Sequence, residues 1–329
     1  MVASVNARAV ETAATMAKSV VAEKRLRHRG SDPRLYAAAQ EVAGRLNSHA
    51  AIPTATCESL NHSRTNREME ATMTTLTSSE FYDRLADLFD VMTDWRSRLA
   101  FELPFLQQTL NDHAASSVLD VACGTGWHAI ALAQAGWRAA GADVSPAMIA
   151  RAREHAVHAG VSVLFVVSDF EHLEQAVPEL FDAVLCLGNS LPHLLSLAAL
   201  QQAVRQMRQR LRPGSVLIVH NLNYDQRLKT QPRFFAANGS ADSLVWRFAD
   251  YGAEFITFHT ALFERHDAAW SVRVNSTLQR PLLAADLDEA VCNAGFVNLR
   301  HFGALDGSPF DLEHSADLVL MAEVPGEPD

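Results

Sequence analysis

The stretch Val118-Leu-Asp-Val-Ala-Cys-Gly-Thr-Gly-Trp-His128 decides how the rest of the chain is read. Val118–Ala122 is apolar enough for a buried parallel strand. A turn with paired glycines follows, and the helical pattern His128-Ala-Ile-Ala-Leu-Ala-Gln-Ala135 begins at once. Asp120 stands four residues before Gly124. A strand that runs into such a turn and then a helix sets a nucleoside-bearing cofactor at the carboxyl end of the strand.

Working outward, strands and helices alternate. Apolar spacing predicts helices over Phe81–Phe89 and Asp94–Leu110, both ahead of the first strand. Further strands are expected at Arg138–Ala142, Val161–Val167, Phe181–Leu187 and Ser215–His220, with Ser145 and Pro146 opening one of the helices between them. Such alternation means parallel pairing with right-handed crossovers. After Asn221 the pattern changes. Leu244–Phe248, Glu254–Glu264 and Trp270–Gln279 read as an antiparallel insert. A helix (Ala284–Ala294) and a closing pair, Val297–Phe302 and Asp317–Val324, resume the main fold. The expected class is α/β, a Rossmann-like seven-stranded sheet with an antiparallel terminal hairpin and the insert as a lid.

Composition narrows the function classes. The chain has 329 residues, 48% hydrophobic and 20% charged, with a net charge of −10. That charge leaves no broad basic face for a nucleic-acid backbone, and no apolar run is long enough for a membrane span. Cys57, Cys123, Cys186 and Cys292 lie far apart without metal-ligand spacing, so no metal is expected and a reduced cytoplasmic setting fits. Residues 1–72 contain ten Lys/Arg against seven Asp/Glu, so the acidic excess belongs to residues 73–329. Val10–Leu26 and Pro33–Leu46 carry helical patterns, and Asn47–Thr77 has the composition of a loop or linker. Residues 1–72 are therefore expected to be a dispensable extension and 73–329 the working domain, with 225–281 as the lid.

The turn fits two cofactor classes. Gly124, Gly126 and Ala129 satisfy G-x-G-x-x-A, a weak dinucleotide signature by itself. Three features favour S-adenosylmethionine. Asp120 in the strand suits a cationic amino-acid group better than a pyrophosphate. Trp127 and His128 put bulk where a diphosphate needs close backbone approach. Asp143 and Asp169 close successive strands, where Asp143 suits the ribose hydroxyls and Asp169 with Phe170 an adenine. Structural alternatives stand beside these roles: a turn cap for Asp120, a helix cap for Asp169, and plain core for Met148.

Val118–His128 and Gly141-Ala-Asp-Val-Ser-Pro-Ala-Met148 resemble the first two motifs of class I S-adenosylmethionine-dependent methyltransferases. Leu185-Cys-Leu-Gly-Asn-Ser-Leu-Pro-His193, Asn223-Tyr-Asp225 and Asp94-Trp-Arg-Ser-Arg98 resemble the glycine N-methyltransferase group and its bacterial small-molecule relatives. The resemblance runs from about residue 80 to 325. It implies a cofactor site formed by Tyr82, Arg98, Asp120, Ala122, Gly124, Thr125, Gly126, Asp143, Val144, Met148, Asp169, Phe170 and Leu187. Arg98 would take the cofactor carboxylate, and Tyr82 would close over the cofactor. Asn189 and Tyr224 would sit beside the methyl acceptor. One departure is Leu222, where the glycine enzymes present an arginine ahead of Asn-Tyr-Asp. It points away from glycine and toward a larger or less acidic acceptor.

The expected reaction is methyl transfer to a small molecule, most simply an amine, since displacement at a sulfonium needs alignment more than acid–base help. His193 is the candidate to take a proton, with His220 also on the acceptor side. Arg247 in the insert either replaces the missing carboxylate clamp or forms a surface ion pair with Asp250 or Glu254. The insert's aromatic residues, Trp246, Phe248, Tyr251, Phe255 and Phe258, pack on the sheet or line the site. Rival readings are an O-methyltransferase, an NAD-dependent oxidoreductase, and a catalytically silent cofactor-binding protein. The expected partner is a small-molecule acceptor, not nucleic acid or membrane, and self-association is left open.

Overall fold

The computed structural model describes residues 73–239, 243–266 and 269–326. The helices expected at Val10–Leu26 and Pro33–Leu46 lie outside the described residues, as does the loop expected from Asn47 up to residue 72.

Met73–Leu76 is a strand (β1), which corrects the far end of that expected loop. Four residues are too few to show an alternating pattern. Helix α1 (Ser78–Met92) begins at a capping box in which Thr77 and Glu80 exchange hydrogen bonds. Helix α2 (Trp95–Asp112) starts at Asp94, whose side chain accepts from the Ser97 backbone N–H. Then come β2 (Ser117–Val121), α3 (Trp127–Gln134), β3 (Arg138–Asp143) and α4 (Pro146–Ala159). Ser145 caps α4, and Gly160 ends it in the left-handed conformation. Strand β4 (Leu164–Val167) is shorter than expected, because Val161 is still bonded back to Ala156 at the helix end. A single turn of helix, α5 (Leu173–Ala176), leads to β5 (Phe181–Cys186), a 3-10 turn (Leu191–His193) and α6 (Leu197–Gln209). Strand β6 (Leu211–Leu222) is longer than expected, since β5 pairs with it from Leu211 onward through a register shift.

After helix α7 (Tyr224–Thr230) come β7 (Phe234–Gly239), β8 (Ser243–Tyr251), β9 (Ile256–His266) and β10 (Ala269–Gln279). Helix α8 (Ala284–Asn293), β11 (Val297–Phe302) and β12 (Asp317–Glu323) complete the chain. The main sheet runs β11-β12-β6-β5-β2-β3-β4, with β12 antiparallel to both neighbours and the rest parallel. The insert is a five-stranded sheet, β1-β10-β9-β8-β7, rather than three strands. Its outermost members escaped the sequence reading because Phe-Phe-Ala-Ala-Asn-Gly in β7 lacks alternation.

Two apolar layers sandwich the main sheet. Leu106, Ile130 and Ile149 of α2, α3 and α4 pack on one face, and Leu200, Met207 and Leu287 of α6 and α8 on the other. Every residue of β2 is buried, as suits a central parallel strand. A third cluster joins Phe81, Leu85 and Met92 of α1 to Val245 and Leu262 of the lid. The polar face of α1 meets the main sheet. Ser79 Oγ donates to the Val144 carbonyl at 3.1 Å, and Asp83 accepts from Ser145 Oγ at 2.5 Å. Asp90 Oδ1 collects Trp95 Nε1, Thr125 Oγ1 and Trp127 Nε1 at 2.8, 2.7 and 3.0 Å. One helix therefore ties the lid to the glycine turn.

Candidate active site

A cavity of about 330 Å³ lies between the carboxyl ends of the parallel strands, α1 and the lid. That volume is in the range of a small-ligand pocket. Strand ends, rather than strand bodies, supply its walls. There the backbone leaves regular geometry: Ala122, after β2, has φ 62° and Asn189, after β5, has φ 68°. Left-handed backbone in residues with a Cβ costs about 1–2 kcal/mol each, and such strain gathers at functional sites.

The half of the cavity over β2 and β3 is charged. Asp120 is buried, lines the cavity, and has an Oδ2 with no hydrogen-bond partner. Burial, reinforced by repulsion from Asp143, pushes its carboxyl up to about 8, against the pull of Arg98. Asp143 accepts from the backbone N–H of Gly124 through Oδ2 at 2.8 Å and of Ser145 through Oδ1 at 2.9 Å. Burial raises it to about 6, with those two bonds opposing. Each oxygen keeps a lone pair for a further donor. Arg98 Nε donates to Glu102 Oε1 at 2.9 Å, and its guanidinium lies 5.0 Å from the centre of the Trp95 ring. Glu102 Oε2 in turn lies 2.5 Å from His128 Nε2. Burial lowers the His128 pKa, so the imidazole is neutral and donates from Nε2. Glu102 stays ionised, because the His128 bond and the Arg98 charge outweigh its burial. The terminal nitrogens of Arg98 make no bond among the described residues and face a cavity wall formed with Gly188.

A buried carboxylate oxygen without a partner calls for a cation, and a free guanidinium fork for a carboxylate. Together they suit the amino-acid end of S-adenosylmethionine. Asp143 suits a ribose diol, and Val144, Met148, Phe170 and Leu187 give the same half an apolar wall. The residues present thus fit the cofactor expected from the sequence.

Apart from Arg227 and Arg247, the half under the lid is neutral. Tyr82 hydroxyl lies 3.1 Å from His193 Nε2, and Gln279 Nε2 lies 3.3 Å from the same atom. Burial pushes His193 down to about 4, so the ring is neutral and the single lone pair of Nε2 is shared between the two donors. A value near 4 is below the near-neutral reference value from which its reading as a proton acceptor starts. Tyr224 hydroxyl donates to Gln279 Oε1 at 3.4 Å and accepts from Asn189 Nδ2 at 3.0 Å. Asn189 Oδ1 accepts from the Leu222 backbone N–H at 3.0 Å, so its side chain braces Tyr224 against β6. Burial pushes the Tyr224 phenol up to about 12 and the Tyr82 phenol higher still.

Thirteen of the sixteen expected residues line this cavity, and Thr125, Gly126 and Asp169 do not. Thr125 is fully buried and bonded to Asp90. Gly126, at φ 80°, packs so closely that an added Cβ would sit 2.6 Å from the Phe165 ring and 2.8 Å from Ala152. Its role is to let α3 and α4 approach. Asp169 Oδ1 accepts from the backbone N–H groups of Glu171 and His172, so the helix-cap alternative is the one the structure displays. His220 lies outside the cavity wall, near Gly188 and Asp317. Of the lid aromatics, Tyr251 and Phe258 reach the cavity, while Trp246 and Phe248 stack on the far face with Phe234 and His259. Sequence reading missed Gln279 and Glu102. Glu102 had a signal, an acid four residues after Arg98 on a helix; Gln279 had none.

Residues 118–214 match the family described as a methyltransferase domain. The glycine/sarcosine N-methyltransferase of Parasynechococcus marenigrum is 36% identical over 150 residues, covering 46% of this chain and 53% of that protein. The chain thus spans about half the length of the curated relatives it matches. A solved S-adenosylmethionine-dependent methyltransferase from Clostridium acetobutylicum superposes with a TM-score of 0.64 at 15% identity, covering 74% of this chain and 99% of its own. The CcbJ methyltransferase of Streptomyces caelestis gives 0.62 at 22% identity, with 75% and 98% covered. At those identities the superpositions speak for the fold alone. Among the described residues no cluster of acids, histidines or cysteines is arranged to hold a metal, and no helix is long and apolar enough to cross a membrane. The match to a methyltransferase domain runs from β2 into β6, and the described chain shares its fold with solved S-adenosylmethionine-dependent methyltransferases.

Proposed function

We propose that the protein transfers a methyl group from S-adenosylmethionine to the nitrogen of a small-molecule amine. The observation that carries the reading is the division of one cavity into a charged half, with the unpartnered Asp120 Oδ2, and a neutral, hydrogen-bonding half under the lid. S-adenosylmethionine, when bound, supplies an electrophilic methyl. Asp120 and Arg98 would hold its ammonium and carboxylate, Asp143 would hold its ribose, and Met148 and Phe170 would flank its base. Alignment of two reactants in such a site supplies much of the rate.

On the acceptor side, burial holds His193 near 4, so among the described residues it is not matched to deprotonating an ammonium at neutral pH. The site therefore selects the acceptor in its unprotonated form. Tyr224, braced by Asn189 and Gln279, orients the nitrogen so that its lone pair faces the methyl. His193 positions Tyr82 and Gln279. The lid and α1 keep water out. The relatives' N-methyltransferase names support nitrogen over oxygen.

The test is incubation of the full chain with methyl-labelled S-adenosylmethionine and a metabolite extract, followed by mass spectrometry. Label on an amine nitrogen is the expected result. Label on a phenol or carboxyl oxygen would overturn the choice of atom, and cofactor binding with no labelled product would leave the silent protein as the better account.

A further inference from the structure

Arg247 faces the cavity, and the register of its strand is the reason. Side chains alternate along β8. Val245, Arg247, Ala249 and Tyr251 share one face, where Val245 packs against α1 while Ala249 and Tyr251 line the cavity. Trp246, Phe248 and Asp250 share the other. Ala249 clusters with Tyr224, and Leu222 packs against that cluster, which places Arg247 beside the acceptor half.

The guanidinium of Arg247 has no carboxylate partner among the described residues. The acids expected to neutralise it are taken elsewhere: Asp250 binds Arg233 and His259, and Glu254 binds Arg280. Glu264 pairs with Arg273. Burial lowers the Arg247 pKa, and the charge of Arg98 lowers it further. Arg98 is anchored by Glu102 next to Asp120. Arg227, the other cation lining the acceptor half, packs 4.7 Å from the Phe235 ring centre and bonds Tyr251, which leaves Arg247 as the uncommitted cation there among the described residues. A half-buried guanidinium facing a cavity without a counter-charge is a site for an oxyanion, which it meets with two parallel N–H···O bonds.

We infer that Arg247 anchors an oxyanion of the acceptor, so that the substrate is a small amine bearing a carboxylate or similar group away from the methylated nitrogen. This rests on the methyl-transfer reading of the cavity and names the class of acceptor within it. Leu222 makes the neighbouring wall apolar, so the charge contact comes from the lid rather than from β6.

The experiment has two arms, on wild type, Arg247→Gln and Arg247→Lys. In the first, each protein is loaded with S-adenosylhomocysteine, and saturation-transfer NMR follows isotope-labelled acetate. Wild type is expected to give a saturable signal that falls at least about ten-fold in Arg247→Gln and partly returns in Arg247→Lys. An equal signal in all three overturns the inference. The affinity for S-adenosylhomocysteine, measured on the same samples, is expected to agree within about two-fold. A ten-fold loss there would make Arg247 a second anchor for the cofactor carboxylate and would also overturn it. In the second arm, methyl transfer is measured to a panel of amino acids and to the matching amides. Transfer favouring the acids in wild type, with KM raised far more than kcat falls in Arg247→Gln, supports the inference. Equal use of acids and amides rules it out. Absence of transfer to every amine bears on the proposed function alone, because the acetate arm does not need turnover.

Discussion

The two halves of the cavity are built in opposite ways. The half over β2 and β3 draws its polar groups from short loops at adjacent strand ends: Asp120, Gly124 and Asp143 lie within 24 residues of one another. It is charged, and it holds a carboxylate that lacks a partner. The half under the lid is assembled from Tyr82, His193, Tyr224, Arg247 and Gln279, each on a different element. Its hydrogen bonds close on themselves, and its two cations are Arg227, which packs on Phe235 and bonds Tyr251, and Arg247. One half is poised for a fixed ligand with known charges. The other is a neutral frame whose chemistry can change by substitution in a lid, without disturbing the turn that holds the cofactor.

The sharpest way to break this contrast is Asp120→Asn. Removing one partner of a buried charge pair costs about 2–5 kcal/mol, so affinity for S-adenosylhomocysteine should fall by about thirty-fold or more in calorimetric titration. The same change should help the unliganded protein at higher pH. The folded carboxyl titrates near 8 and the free group near 3.8, so between those values the native state holds the extra proton. Unliganded stability therefore declines as pH rises from about 4 to 8, and denaturant melts at pH 5 and pH 8 should show a smaller decline in the variant. Tight binding by Asp120→Asn would remove the charged half from the account.

Arg98→Gln comes next. Loss of a charge-assisted bond of about 1.5–3 kcal/mol should weaken S-adenosylhomocysteine by about ten- to a hundred-fold. Glu102→Gln should weaken it less, since Glu102 acts by holding Arg98. Equal losses in the two would show Glu102 in direct contact with the cofactor. A pH series on wild type sharpens the same half. Asp120 must give up its proton to meet an ammonium, so affinity should rise by up to about ten-fold per unit from pH 6 to 8 and then level. A flat profile would place the ammonium elsewhere.

The smallest expected effect belongs to the neutral half. Tyr224→Phe removes the hydroxyl that joins Asn189 to Gln279. One neutral hydrogen bond is worth about 1 kcal/mol, so kcat should drop about five- to ten-fold, with cofactor affinity unchanged. A variant that loses cofactor affinity instead would show that the halves are not separable.

What could be read from the sequence follows the same division. The strands from β2 to β6 and the cavity residues Asp120, Gly124, Asp143, Met148 and Phe170 come from contiguous motifs, where local pattern and position along the strand decide the outcome. Tyr82, Arg98, Asn189 and Tyr224 needed the family resemblance, because nothing local marks such a residue as facing a cavity. Gly126 and Thr125 read as cofactor contacts because they sit in the turn; in the structure Gly126 packs against Phe165 and Thr125 bonds to Asp90. Motif position does not distinguish a ligand contact from the scaffold beneath it. Gln279 and the cavity-facing side of Arg247 depend on the register of the lid strands, and a one-residue slip would turn each away. β1 and β7 are legible only once their neighbours in the lid sheet are known.

The central claim is that the glycine turn and Asp120 hold S-adenosylmethionine rather than a dinucleotide. Parallel calorimetric titrations of the full chain with S-adenosylhomocysteine and with NAD test it most directly. Saturable one-site binding of S-adenosylhomocysteine with no heat from NAD is the predicted result. Binding of NAD with no response to S-adenosylhomocysteine would contradict it.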